Sequence, residues 1–189
     1  MPIAEINFRD PAAVEQFIRA SFCQNRRRLQ HIEVIAAQVR RCAEQLRSNL
    51  PGCSIDPDMA YCAALLHDVG YVPDLRVSGF HPKDGADFLR SRGFGDLAEL
   101  IEGHGCSPEE AALLGHPAVT PAPHLIAKLI TYWDMRVKQG GAIVTYSERL
   151  QDILFRYGES SVVGRANLAA QSRLEAIARE VEGLLQPIK

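Results

Sequence analysis

The sequence predicts an all-α protein folded as one helical bundle, and three features of the chain indicate this. Apolar residues recur at helical spacing through several long segments. Aspartate followed by proline occurs where helices are expected to begin, and glycine where they are expected to end. The one stretch with strand character, residues 142–146, is too short to support a sheet. We therefore expect seven to eight helices in a single domain covering residues 1–189.

Four helices are predicted in the first half of the chain from start and stop signals. Asp10 and Asp56 are expected N-cap residues, and each precedes a proline that suits the first helical turn. Gly70 and Gly93 lie where two of these helices are expected to stop. The long second helix carries one apolar stripe, formed by Ile32, Ile35, Ala36, Val39, Ala43 and Leu46. The predicted helices cover residues 11–21, about 25–48, 57–69 and 81–93, with a loop over 70–80.

The second half is predicted to contain four more helices and one irregular segment. Three prolines and two glycines in residues 105–121 indicate a largely irregular chain, with a single turn after Ser107. Ser147 is the expected cap of a helix that ends at Tyr157, before Gly158. The predicted helices cover residues 97–103, about 123–138, 147–157 and about 161–186. The C-terminal helices, residues 147–186, are expected to pack on the rest of the bundle.

Composition and charge favour a cytoplasmic protein and disfavour nucleic-acid binding. The chain has 21 Lys and Arg against 23 Asp and Glu, a net charge of −2 that is poorly suited to binding DNA or RNA phosphates. A small phosphorylated ligand is compatible with this charge. The five cysteines form no Cys-x-x-Cys pair, which indicates reduced thiols. No signal peptide or membrane-spanning stretch is recognised, so no membrane partner is expected, and a homodimer is left open.

Ionisable side chains lie at the edges of the predicted apolar stripes. His31 lies one turn before Ile35, and His67 and Asp134 each follow an apolar residue by one turn. Such groups are costly to bury without partners, and neutral imidazole and carboxylate are good ligands for divalent ions. Taken singly, each histidine is more often a hydrogen-bonded core residue, and Asp134 could pair with an arginine. Together, the three helices favour a metal site.

The order of these groups along the chain resembles the HD-domain superfamily of metal-dependent phosphohydrolases. Tyr61-Cys-Ala-Ala-Leu-Leu-His67-Asp68-Val-Gly is similar to the doublet that names the family. The other similar segments are Arg28-Leu-Gln-His31, His81-Pro-Lys-Asp-Gly-Ala-Asp-Phe-Leu, Leu100-Ile-Glu-Gly-His104-Gly and Leu129-Ile-Thr-Tyr-Trp-Asp134-Met-Arg. The resemblance covers residues 28–137 and implies an HD-type helical bundle with its metal-site core at about 25–138.

This resemblance implies a site for divalent metal ions, with two ions expected and one ion as the alternative. It assigns His31, His67, Asp68 and Asp134 to one ion and His81 and His104 to a second, with Asp68 bridging. Two such ions bind phosphate oxygens and activate water for attack on phosphorus. The sequence does not distinguish Mn, Fe, Ni, Mg and Co as the metal. A structural use remains the alternative for His81 as a helix cap and for His104 as a loop residue.

Positive side chains are expected to contact the phosphate of a small, nucleotide-like substrate. The candidates are Arg27, Arg28, Lys83 and Arg136, and the preferred catalytic set is Asp68, Lys83 and Arg28. Residues 139–158 include Arg149, Arg156 and Tyr157, which could close over a substrate, although packing of this segment on the bundle is favoured. His116 and His124 match no family position and are expected at the surface.

Three functions are compatible with this pattern. The favoured one is a phosphomonoesterase or phosphodiesterase acting on a nucleotide or another small phosphate ester. The second is a di-iron HD-type oxygenase of a small diol or phosphonate, which only the redox character of the metal would distinguish. The third is a non-catalytic metal-binding HD module, which is disfavoured because all six ligand positions are filled. Cyclic di-GMP and the stringent-response nucleotide are not expected, because the segments typical of those branches are absent.

Overall fold

The computed structural model describes residues 6–50 and 52–186, and this part of the chain is all-α, as predicted. It contains nine α-helices and two short 3-10 turns, Val69–Tyr71 and Pro73–Leu75. The helices are α1 (Pro11–Ser21), α2 (Arg26–Asn49), α3 (Pro57–Leu66), α4 (His81–Ser91), α5 (Gly95–Glu102), α6 (Ser107–Leu114), α7 (Leu125–Asp134), α8 (Tyr146–Tyr157) and α9 (Val162–Leu185).

The predicted helix starts in the first half are confirmed by their caps. The Asp10 side chain accepts a hydrogen bond from the backbone N–H of Ala12, and Asp56 accepts from Asp58 and Met59. The apolar stripe predicted on α2 is fully or almost fully buried along its length. It packs against α3, α7 and α9 and so forms the centre of the main hydrophobic core.

The segment predicted to be largely irregular contains a two-turn helix, α6. Pro108 lies in its first turn, where proline is favoured, and Glu109 and Glu110 lie beside the positive end of the helix dipole. Gly115 ends the helix in the left-handed conformation, with φ of 73°. The segment was expected to be irregular because of its prolines and glycines, but Pro108 and Gly115 mark the start and the end of this helix and do not interrupt it.

A tight hairpin joins α7 to α8 and explains two further differences from the predicted boundaries. α7 ends at Asp134 instead of about 138, and the strand-like residues form an isolated antiparallel bridge between Val137 and Ile143. Gly140 and Gly141 make the turn with φ values of 97° and 84°, a region that favours glycine. α8 then begins at Tyr146, because Thr145 and Glu148 form a capping box in place of the predicted Ser147 cap.

The C-terminal helices pack on the bundle and form one side of a cavity. α9 contacts α2, α6, α7 and α8, and Ala170 and Leu174 join Met135 and Ile153 in a second, smaller apolar cluster. The cavity, of about 300 Å³, lies between this cluster and the ends of α3, α5 and α7. Among the described residues, no helix combines the length and the apolar character that a membrane crossing requires.

Candidate metal centre

The doublet His67-Asp68 lies where α3 ends and the chain turns sharply toward α4. His67 is the C-terminal cap of α3, and Asp68 leaves the helical conformation with φ of −100° and ψ of 9°. The turn is possible because Gly70 packs against the backbone of α4, where an added Cβ would lie 2.0 Å from the carbonyl oxygen of His81. The glycine after the doublet therefore brings the start of α4, and with it His81, against Asp68.

The remaining candidate ligands come from three further parts of the chain. His31 lies on α2 at the edge of the buried stripe and is 1% exposed. His104 is the second residue after α5, and Asp134 is the last residue of α7. The structure brings together all six residues that the resemblance assigned to metal binding: His31, His67, Asp68, His81, His104 and Asp134.

Asp68 lies at the centre of this cluster, and its two oxygens face different histidines. Its Oδ2 atom lies 3.7 Å from Nε2 of His31 and 3.5 Å from Nε2 of His67. Its Oδ1 atom lies 3.4 Å from Nε2 of His81, which is also 3.4 Å from Nε2 of His104. On the other side of His31, Nε2 lies 3.2 Å from Oδ1 of Asp134. Asp68 thus lies within 4 Å of three histidines from three different elements.

Two of the imidazoles are oriented by hydrogen bonds to their own helices. Nδ1 of His67 lies 2.6 Å from the carbonyl oxygen of Ala64, and Nδ1 of His104 lies 2.6 Å from that of Ile101. Since a carbonyl oxygen only accepts, each Nδ1 carries the proton and each Nε2 keeps a free lone pair. Nε2 of His67 is buried without a hydrogen-bond partner among the described residues. An unsatisfied lone pair at this position fits a metal ligand.

The electrostatics of the cluster also suit a cation. Burial opposes ionisation of Asp68, but Arg28 and the neighbouring histidines outweigh it and hold the pKa of this carboxyl well below its ordinary value. The pKa of Asp134 is likewise lowered against the effect of burial, chiefly by its hydrogen bond with His31. Burial lowers the pKa of His81 and of His104, which favours the neutral imidazole that a metal requires. Two groups of three residues have ligand atoms close enough to share an ion: His31, His67 and Asp134, and His67, Asp68 and His104.

Arg28 reaches the cluster, where it contacts a predicted ligand directly. Its Nη1 atom donates a hydrogen bond to Oδ2 of Asp68 over 2.6 Å, and its side chain is 12% exposed. The guanidinium also lies over the ring of Tyr71, 3.9 Å from the ring centroid, and Tyr71 stacks on His81. Arg28 thus holds Asp68 in place and lines the cavity beside it.

The structure does not bring Lys83 into the site, contrary to the prediction. Its Nζ atom pairs with Asp87 one turn along α4, and its side chain is 34% exposed. Arg27 is exposed, and Arg136 pairs with Glu182 on α9, so neither lines the cavity. His124 caps α7, and His116 stacks on Phe80, which gives both histidines structural contacts away from the cluster.

The cavity above the cluster has a second wall that sequence reasoning placed only in part. Arg149, Arg156 and Tyr157 line this wall, so the segment expected mainly to pack also faces the site. Asn167 was missed, although its position was detectable: with Val163, Ala170 and Leu174 it shares one helical face of α9, where a polar residue is unusual. Its Nδ2 atom donates to the carbonyl oxygen of Val163, while Oδ1 is buried without a partner among the described residues.

Comparison with known proteins agrees with this geometry. The family model described as HD domain matches residues 28–136, which is more than half of the chain. The curated protein Ribonuclease Y of Rhodopirellula baltica is 34% identical over 87 residues, a match that covers 46% of this chain and 15% of that protein. No solved structure was found to match the chain. The chain therefore belongs to the HD-domain family, a superfamily made up mostly of metal-dependent phosphohydrolases.

Proposed function

We propose that the protein is a metal-dependent phosphohydrolase that cleaves a small phosphate ester in the cavity above the His/Asp cluster. One observation carries this proposal. Six imidazole and carboxylate side chains form one largely buried cluster, and Nε2 of His67 has no hydrogen-bond partner there among the described residues. Such a cluster is costly to bury unless a cation satisfies it. His31, His67, Asp68, His81, His104 and Asp134 would hold one or two divalent ions.

Different residues of the cluster would have different roles in binding the ion and the substrate. A bound divalent ion would supply charge neutralisation of phosphate oxygens and a water molecule of lowered pKa. Arg28 keeps Asp68 ionised. The Oδ1 atom of Asp68 faces the His81 ring, and its Oδ2 atom faces the rings of His31 and His67. The carbonyl oxygens of Ala64 and Ile101 hold the His67 and His104 rings in one tautomer.

Size and charge favour a small substrate, of which a nucleotide is the type we propose. The cavity volume of about 300 Å³ suits a small-molecule ligand such as a nucleotide. The net charge of −2 disfavours a polynucleotide. The similarity to a protein named Ribonuclease Y makes RNA the competing substrate. An assay panel of an aryl phosphate, nucleoside monophosphates and a short RNA distinguishes these classes.

The test begins with the metal content per chain, measured by elemental mass spectrometry on protein purified without chelators or a histidine tag. We expect about two divalent ions per chain and metal-dependent release of phosphate from at least one ester. The variants Asp68→Ala and His67→Ala should lose most of the bound metal and at least 1,000-fold in kcat/KM, a loss of about 4 kcal/mol in transition-state binding. Asp87→Ala is the matched control, because it removes an exposed carboxylate from an ion pair on α4.

Several outcomes would contradict the proposal. Full metal content and activity in both ligand variants would show that the cluster is not the active site. Two irons with oxygen consumption on a diol or phosphonate would favour the oxygenase function. Absence of metal after incubation with manganese or iron would remove the basis for either enzyme.

A further inference from the structure

We propose that Arg149 binds a phosphoryl oxygen of the substrate, which makes α8 and α9 the substrate-binding wall of the cavity. The inference rests on the proposed function, since it assigns a substrate contact at that same site. Arg149 lies beyond residues 28–136, the segment matched by the HD family model. It is therefore a feature of this chain's own C-terminal helices.

Arg149 is a buried cation, and one of its guanidinium nitrogens makes no hydrogen bond within the described chain. The residue is 7% exposed, and it lines the cavity. Its Nε atom donates to the backbone carbonyl oxygen of Asp134 over 3.2 Å, and its Nη1 atom donates to Oδ2 of Asp152 over 3.1 Å. Its Nη2 atom makes no hydrogen bond within the described chain and lies 4.0 Å from Oδ1 of Asp134. Nη2 is thus a guanidinium nitrogen at the cavity without a hydrogen-bond acceptor in the described chain, and such a donor favours an anionic ligand.

The other two arginines of the cavity are each paired with a carboxylate. Arg28 donates through Nη1 to Asp68, while its buried Nε has no partner among the described residues, and Arg156 contacts Asp152 through both Nε and Nη2. Asp152 thus pairs with Arg149 and Arg156 together, which fixes the direction of Arg149.

The position of Arg149 places its free donors beside the candidate metal ligands. Its contact with the Asp134 backbone anchors the guanidinium at the end of α7, next to the carboxylate that faces His31. Three carboxylates line the same cavity, Asp68, Glu110 and Asp134. Any phosphate that enters must be balanced by cations, and Arg149 supplies one from α8. Arginine suits this contact because its planar donors can pair with two phosphate oxygens.

Binding of inorganic phosphate to the manganese-loaded protein, measured by calorimetry, tests this assignment without requiring turnover. We expect Arg149→Gln to weaken phosphate binding about 10- to 100-fold, the range for a lost charged hydrogen bond. Arg149→Lys should be intermediate, because lysine keeps the charge and loses the planar donor pair. Arg165→Gln is the matched control: Arg165 is exposed on α9, is not part of the cavity lining, and its loss changes the net charge equally.

The outcomes separate this inference from the proposed function. Phosphate binding that depends on Arg149 in a protein that hydrolyses no ester would support the subsite and overturn the hydrolase. Ester hydrolysis with unchanged phosphate affinity and KM in both Arg149 variants would overturn the subsite alone. Failure of the wild-type loaded protein to bind phosphate, or an equal loss in Arg165→Gln, would also overturn it. Metal content is measured for every variant, and a loss of metal equal to the loss of phosphate binding would show a role in metal retention instead.

Discussion

Asp68 shows how much of the site follows from two neighbouring residues. Because it comes just after α3 ends, its side chain turns to face imidazoles on both sides, and its pairing with Arg28 keeps it charged. The doublet and the other four candidate ligands were predictable, since residue type and order along the chain are both visible in sequence. The hydrogen bonds that set the tautomers of His67 and His104 were not predictable, because they depend on where each helix ends.

Side-chain direction was harder to predict than position, as Lys83 and Arg149 show. Lys83 follows a candidate ligand in sequence, yet it points to Asp87, four residues along the same helix. That carboxylate was visible in the sequence and is the ordinary partner for a lysine at this spacing. Arg149 faces the site only because the hairpin brings the start of α8 beside the last residue of α7, which no local pattern specifies.

We expect Lys83→Ala to leave the activity nearly unchanged. The Lys83 side chain is half-exposed and ion-paired to an exposed carboxylate, so its loss should cost under about 0.5 kcal/mol of stability. Steady-state kinetics on the best substrate should give a kcat/KM within about twofold of the wild type. A loss of 100-fold or more, with metal content and unfolding midpoint unchanged, would mean that Lys83 swings into the site when substrate binds.

At the scale of elements, the site depends on the close packing of the turn at residues 68–71 against α4. Gly70 and Gly85 meet at this contact, and an added Cβ on Gly70 would lie 2.8 Å from the backbone nitrogen of Gly85. The sequence indicated only that Gly70 ends a helix. That it also permits two backbones to touch could not be read from the sequence, because the contact joins segments whose approach is set by the fold.

Gly70→Ala should therefore damage both stability and the site. The added methyl group would meet backbone atoms that cannot rotate away, so we expect a loss of about 3 kcal/mol in the free energy of unfolding. Displacement of His81 should also lower the metal content. Chemical denaturation and elemental analysis measure the two effects.

Gly95→Ala is the control for that substitution. Gly95 begins α5, and a Cβ there would meet no atom within 4 Å. The change should be neutral or stabilising by about 0.5 kcal/mol, because alanine favours the helix more than glycine does. Equal stability losses in the two variants, or a stable Gly70→Ala protein with full metal content, would show that the contact between residue 70 and α4 does not require glycine.

For the whole molecule, α9 ties the two apolar clusters together. Val181 belongs to the main core, whereas Ala170 and Leu174 belong to the smaller cluster beside the cavity. A continuous helix of 24 residues spans both. The single domain expected for residues 1–189 stays a prediction, and the sequence alone did not reveal the second cluster. We infer that the C-terminal wall and the His/Asp cluster unfold together.

Equilibrium unfolding in denaturant tests that inference with the protein's one tryptophan as a probe. Trp133 packs against the main core and donates a hydrogen bond to Sγ of Cys42, so its fluorescence reports on that core. Leu174→Ala opens a cavity in the other cluster and should cost about 3 kcal/mol. If the chain is one cooperative unit, the unfolding transitions followed by fluorescence and by far-UV circular dichroism shift together in this variant. Leu168→Ala is the control: Leu168 is 41% exposed on α9, and its loss should change the free energy of unfolding by no more than about 0.5 kcal/mol with either probe. A Trp133 transition that stays in place while the dichroism signal falls earlier would instead make the C-terminal helices a separate folding unit.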